Sequence, residues 1–492
     1  MSGIFILTII LLYFLVLMAI AHFTSKGAQN DTFFSANKSS KWYLVSFGMI
    51  GASLSGITFI SVPGMVGNEG FSYMQMVIGY MGGYAVIAFV LLPLYYRLNL
   101  TSIYAYLGQR YGAVTHQVGA GFFLLSRILG ASVRLFLVAD VLDYFVLSQY
   151  GVSFEISVMI TLLLIYIYTY RGGIKTIVWT DTLQTAFMLL SLLLSVYLIY
   201  TYLGSETTTS GLERLGMVDW FVTDTGKGNF WLKGILGGFF ITLAMTGLDQ
   251  DMMQKNLTCK NKQEAQKNMI WFSVVLFAVN FVFLLLGALL FLYMETQPTI
   301  ELAYEGMAAS SRNDRLFPLI ALNGDGLGTG IGILFILGLV AAAYSSADSA
   351  LTSLTTSASV DIFGVDQMKN QQKAERQRKL IHVGMTILLF IVILLANAFK
   401  EQNIINTLFK MAGYTYGPLL GLFFFGILSK RQVSDNYAWL ICVVVPVLCY
   451  VYKVFEPRIF DNYATGHELL GINGLLCLIG LFLISKRTKT AS

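Results

Sequence analysis

Thirteen stretches of this 492-residue chain run for roughly twenty residues with almost no charge, the length a helix needs to cross about 30 Å of hydrocarbon. They lie near 3–22, 43–67, 71–96, 118–146, 152–170, 177–203, 230–250, 269–295, 328–357, 380–399, 404–428, 435–453 and 468–485. In lipid every backbone polar group must be satisfied internally, which leaves helices or closed barrels. These runs are continuously apolar and lack the alternation of a barrel strand, so they predict helices. With 56% hydrophobic and 12% charged residues, the chain carries about half the charge of a soluble domain. An all-α membrane protein with about thirteen transmembrane helices is expected.

The few charges set an orientation. If the N-terminus is outside, the loops that fall inside carry 21 Lys and Arg against seven outside, which puts the C-terminus in the cytoplasm. Residues 1–3 hold no Lys or Arg, so the first run reads as a span despite the small-residue stretch Ala19-Ile20-Ala21. The compact chain, without eukaryotic targeting signals, suggests a bacterial inner membrane, and no nucleic-acid partner is expected. Four scattered cysteines make no disulfide framework, and the four histidines have no metal-ligand spacing. No Ser/His pair lies in the spans, which argues against an intramembrane enzyme. A channel is disfavoured too, because no filter-like loop repeats.

Polar groups inside lipid are costly and mark function. In span nine, Ser345, Asp348 and Ser349 share one helix face, and with Ser346 they could hold a hard cation. The bland reading, hydroxyls bonding back to their own helix, does not account for Asp348. Span two contains Gly51-Ala52-Ser53-Leu54-Ser55-Gly56 and then Pro63, which predicts a helix unwound near 53–56. Span seven has Gly234, Gly237 and Gly238, followed by Thr246-Gly247-Leu248-Asp249-Gln250-Asp251. Two weak spans, each opening a block of five, predict an inverted repeat. The expected divisions are an N-terminal extra span and loop (1–42), a first repeat (43–203), a loop (204–229), a second repeat (230–428) and two C-terminal spans with a short tail (429–492). In span four, Arg127 and Arg134 lie seven apart on one face, able to clamp a carboxylate or to pair structurally. Asp181 reads equally as a helix cap or an ion ligand.

At these residues the chain resembles the sodium:solute symporter family, whose members have a LeuT-type five-plus-five fold with a broken first helix in each repeat. The matching segments are Leu54-Ser55-Gly56-Ile57-Thr58-Phe59-Ile60-Ser61-Val62-Pro63 and Leu100-Thr101-Ser102-Ile103-Tyr104-Ala105-Tyr106-Leu107. They continue with Gly172-Gly173-Ile174-Lys175-Thr176-Ile177-Val178-Trp179-Thr180-Asp181, the Ser345-Ser346 to Ser349 cluster, and Gly413-Tyr414-Thr415-Tyr416-Gly417-Pro418-Leu419-Leu420-Gly421.

The resemblance implies a primary sodium site from the carbonyls of Gly51, Leu54 and Ala342 with the hydroxyls of Ser345 and Ser346. It implies a second sodium at Asp181, Ser345, Asp348 and Ser349 in some members, so one or two sodium ions remain open, as does a proton on Asp348. Substrate contacts are expected from Ser55, Thr58, Phe59, Met76, Tyr80, Thr246, Asp249 and Gln250, with Arg127 or Arg134 toward an anion. The implied protein is a monomeric, sodium-coupled symporter of a small polar solute. That solute is an organic anion such as sialic acid or another carboxylate. A sugar, a proline-like amino acid or proton coupling are the alternatives.

Overall fold

The computed structural model describes residues 3–26, 30–214, 219–309, 311–323, 327–398, 404–459, 465–466 and 468–486. Among the described residues it is helical, with two isolated bridges (Ser40 with Cys259, Gln432 with Lys486) in place of any sheet. Every apolar run carries helix: α1 (Gly3–Thr24), α2 (Trp42–Ser53), α3 (Gly56–Glu69), α4 (Tyr73–Arg97), α5 (Ala113–Leu142), α6 (Phe154–Gly172), α7 (Ile174–Leu203), α8 (Trp231–Gly247) and α9 (Gln250–Leu257). The order continues with α10 (Lys262–Glu295), α11 (Arg312–Asn323), α12 (Gly328–Ile362), α13 (Gln371–Ala398), α14 (Ile404–Thr415), α15 (Gly417–Leu428), α16 (Asp435–Ile459) and α17 (Leu469–Ile484).

Eight of these helices are long and apolar enough to cross a membrane unaided, and two bent pairs bring the number to ten. Helices α6, α15 and α17 are shorter apolar elements. The centre is α12, buried all round from Gly338 to Asp361. Helix α7 packs along α12 and α2, α4 packs on α8, and α15 on α17. The four cysteines are buried and form no disulfide.

Span two breaks where its small and hydroxyl residues cluster. Leu54 (ψ 75°) and Ser55 (ψ 174°) leave the helical region, and α3 departs at 58° to α2. Pro63 lies well inside α3 and does not make the bend. Span seven breaks after Gly247, at Leu248 and Asp249, with a 62° bend between α8 and α9.

The earlier glycines of span seven have a different job. A Cβ on Gly238 would stand 2.1 Å from the Met76 carbonyl oxygen, so the glycine permits α4 and α8 to touch backbone to backbone. The second break is strapped by the end of α4 and the segment after it. The Tyr95 hydroxyl donates to the Gly247 carbonyl at 2.9 Å and the Tyr104 hydroxyl to the Leu248 carbonyl at 2.8 Å. Ile103 N–H donates to Gln250 Oε1 at 2.9 Å, while the Gln250 amide donates to the Thr101 carbonyl at 3.0 Å. Breaking a helix in lipid frees backbone groups, and here other side chains satisfy them.

Candidate functional site

Between the two breaks lies a cavity of about 110 Å³. Of the residues expected to contact substrate, Ser55, Thr58, Tyr80, Arg127, Arg134 and Thr246 line it. Tyr73, Tyr84, Thr242 and Asn280 line it as well, and sequence reasoning missed them. Asn280 had a signal, being a lone amide inside an otherwise apolar span. The tyrosines had none, because tyrosine is common at any depth of such a helix.

Four expected contacts point elsewhere. Phe59 is fully buried against the rings of Phe283, Phe317 and Phe335, with centroids 5.8, 5.5 and 6.0 Å away. Met76 is buried at the α4–α8 contact. Asp249 caps α9 by accepting from Asp251 N–H at 2.9 Å, and it accepts from the Tyr416 hydroxyl at 2.5 Å. Gln250 is spent in the strap after α4.

The two arginines of α5 both reach the cavity, and their partners differ. Arg127 is paired with Asp251 and lies 3.9 Å from Asp249. Arg134, half-buried in the same wall, has no carboxylate within ion-pair distance among the described residues, and its Nε has no hydrogen-bond partner. A guanidinium in a half-buried cavity wall with no carboxylate bonded to it is costly. An anion in the cavity would supply one.

The ion-side residues gather at the first break, where α2 faces α7 and α12. Gly51 N–H donates to Thr185 Oγ1 at 3.1 Å, and a Cβ on Gly51 would collide with that hydroxyl at 2.2 Å. Gly51 belongs to the last turn of α2 and Leu54 is its C-cap. The last carbonyls of a helix have no amide partner within it, and they are open to a cation. On α12, Ala342, Ser345 and Ser346 follow one face. Ser346 Oγ is buried with no hydrogen-bond partner, whereas Ser345 Oγ donates to Asp181 Oδ1 at 2.6 Å. A hydroxyl that gives its proton to a carboxylate keeps its lone pairs for a cation. This donor set suits sodium.

Asp181 lies two turns inside α7, whose N-cap is Gly173, so the helix-cap reading is excluded. It faces an unexpected neighbour. Lys255 Nζ sits 2.8 Å from Asp181 Oδ2, donates to Ser349 Oγ at 2.7 Å and lies 3.8 Å from Asp251 Oδ1. Counted in the sequence as a loop lysine, Lys255 instead belongs to α9, all eight residues of which are buried. The missed signal was Asp251 and Lys255 at i, i+4 within a run that also holds Gln254 and Asn256. Asp348 is turned away, accepting from the Tyr168 hydroxyl at 2.8 Å with its other oxygen unpartnered.

Over the far end of α5, the segment joining α10 to α12 folds down. Arg315 on α11 bonds Asp140 at 2.9 Å and stacks 4.1 Å over the Tyr144 ring. Burial beside α3 pushes the neighbouring Asp314 carboxyl up to about 6, against the opposing pull of the Ser61 hydroxyl and Arg315.

Two broken helices with a polar cavity between them are the layout expected of a secondary transporter. The sodium:solute symporter family model matches residues 33–436, and the chain belongs to that family. The sodium/sialic acid symporter NanT of Aliivibrio fischeri is 23% identical over 471 residues, 92% of this chain and 89% of that protein. The human sodium/iodide cotransporter is 24% identical over 82% of this chain, which spans 62% of that protein's length. A solved Na+-coupled sialic acid symporter, substrate-bound and outward-open, superposes with a TM-score of 0.82 at 19% identity, covering 98% of this chain and 99% of that one. The fold is thus the LeuT-type arrangement. The chain is a sodium-coupled symporter of a small solute and a multi-pass membrane protein, not an enzyme.

Proposed function

We propose that this symporter imports a small organic anion, a carboxylate, with Arg134 as the guanidinium that receives it. The observation that carries this reading is the contrast within one wall: Arg127 is neutralised by Asp251, and Arg134 is left for the cargo. Ser55, Thr58, Tyr80 and Thr246 would hold the polar remainder of the solute. A cavity of about 110 Å³ suits a carboxylate of a few carbons in this conformation, since cavities near 150 Å³ hold a benzene-sized guest. A neutral sugar would leave the Arg134 charge without a partner, whereas an amino acid brings a carboxylate of its own.

Sodium would sit between the α2 end carbonyls of Gly51 and Leu54 and Ala342, Ser345 and Ser346 on α12. Bound there, it joins the broken span to the central helix and orders the cavity wall beside it. An ion shifts a conformational equilibrium only by binding one state better than the other, and a join across the break provides that difference. The remaining framework is a monomer of thirteen spans in a bacterial inner membrane. Its N-terminus is outside and its C-terminus inside, with repeats at 43–203 and 230–428.

The test is thermal stability of the purified protein in potassium buffer, with and without sodium, against short monocarboxylates, sialic acid, sugars and amino acids. A ligand of the folded form raises the unfolding temperature by mass action. A carboxylate is expected to stabilise only when sodium is present. Arg134→Met is expected to weaken that binding by about a hundredfold, the loss for one partner of a buried charged pair. Stabilisation by a neutral sugar that survives Arg134→Met would overturn the anion reading.

A further inference from the structure

Lys255 brings a charge of its own into the ion region. Its ammonium nitrogen touches Asp181 Oδ2 and Ser349 Oγ at 2.8 and 2.7 Å, with Asp251 Oδ1 at 3.8 Å, and the residue is 1% exposed. Asp181 and Ser349 are two of the four residues that family resemblance nominates for a second sodium. A third, Ser345, is committed to the other oxygen of the same carboxylate at 2.6 Å, and the fourth, Asp348, faces Tyr168. Sodium and a lysine ammonium ask for the same surroundings, a carboxylate and hydroxyl oxygens in a buried setting. Two cations cannot share one such pocket without strong repulsion, because burial removes the screening that water provides.

We propose that Lys255 Nζ is a tethered cation occupying the second ion position, so that each solute is coupled to a single sodium held at the first break. The inference rests on the sodium-coupled reading above and fixes its stoichiometry. Lys255 stands in for the second ion in two further respects. Through Asp181 it orients the Ser345 hydroxyl beside the first sodium position. Through Asp251 it shares a carboxylate with Arg127 in the cavity wall. A group in that position supports both sites with no ion to load or release.

The experiment compares wild type, Lys255→Arg and Lys255→Met as full-length proteins. Sodium-dependent thermal stabilisation is titrated, and the ratio of radiolabelled sodium to solute taken up is measured in proteoliposomes. Wild type and Lys255→Arg are expected to respond with a sodium Hill coefficient of about one and a matching flux ratio, while Lys255→Met, its carboxylates freed, steepens to about two. A wild-type ratio of two sodium ions per solute overturns the proposal. So does a folded Lys255→Met whose coefficient stays at one, which would make the lysine a structural partner only. Should Lys255→Met fail to fold, the wild-type ratio decides alone. A wild type that ignores sodium altogether would refute the sodium reading beneath the proposal, an outcome distinct from the appearance of a second ion.

Discussion

The two broken spans bend by nearly the same angle, 58° and 62°, and solve the resulting problem in opposite ways. The first carries no charged side chain from Trp42 to Gly67, and its loose ends are carbonyls and hydroxyls. The second is crowded with Asp249, Asp251 and Lys255, and tyrosine hydroxyls already cap its carbonyls at Gly247 and Leu248. One break is left open for something to bind, and the other is closed by the chain itself. A broken membrane helix is therefore not by itself a binding site. What decides is whether the groups it frees have found partners.

The sharpest way to break this contrast is Asp251→Asn. It strips Arg127 of its bonded carboxylate at the closed break, with Asp249 left at 3.9 Å, and removing one partner of a buried ion pair should cost about 3–5 kcal/mol. Thermal unfolding in potassium buffer would register the loss; a protein as stable as wild type would mean that charge does not seal this break. Ser346→Ala acts on the open break. Its hydroxyl has no protein partner, so stability without sodium should hold while half-maximal sodium rises about tenfold, the effect of one lost polar contact. Equal losses of stability and sodium affinity would erase the distinction between the two breaks.

The smallest effect concerns Asp314, packed beside α3. Its carboxyl is raised from 3.8 to about 6 by burial, so the folded state favours the protonated form. That contribution is complete below pH 4 and is lost as pH rises through about 6. Wild type should therefore gain stability between pH 7 and pH 5, and Asp314→Asn should flatten that part of the profile. An unchanged slope in the variant would assign it to another group.

Much of this was legible in the sequence, for physical reasons. Helix in lipid follows from apolar length alone, and every apolar run carries a helix. The first break was readable because hydroxyls and glycines cluster there in one short stretch of an otherwise apolar span, although Gly51 and Gly56 serve close packing as well. The glycines of the second broken span misled in part. Small residues serve close helix contact as well as unwinding, and Gly238 serves contact while Gly247 precedes the bend.

Side-chain partners were the least legible. Phe59 and Thr58 are neighbours in one motif, yet one faces an aromatic cluster and the other the cavity. Lys255 was counted among the inside-loop charges because the i, i+4 spacing of Asp251 and Lys255 shows a shared helix face but not that α9 re-enters the core. The segment Leu100 to Leu107 was recognised as a motif without a reason. Its reason is the bonds that Thr101, Ile103 and Tyr104 make across the second break.

The ammonium of Lys255 also has an electrical consequence. A carrier with two mobile sodium ions and one monovalent anion would move a net positive charge inward on every turn, and voltage would help drive it. With one of those cations anchored to the protein, the cargo is one positive and one negative charge. Each complete cycle then moves no net charge, and the membrane potential, worth about 2.3 kcal/mol per charge per 100 mV, drops out of the driving force. Uptake would follow the sodium concentration ratio alone. Such a transporter would draw no steady current under voltage clamp, and collapsing the potential while holding the sodium gradient would leave its accumulation limit unchanged.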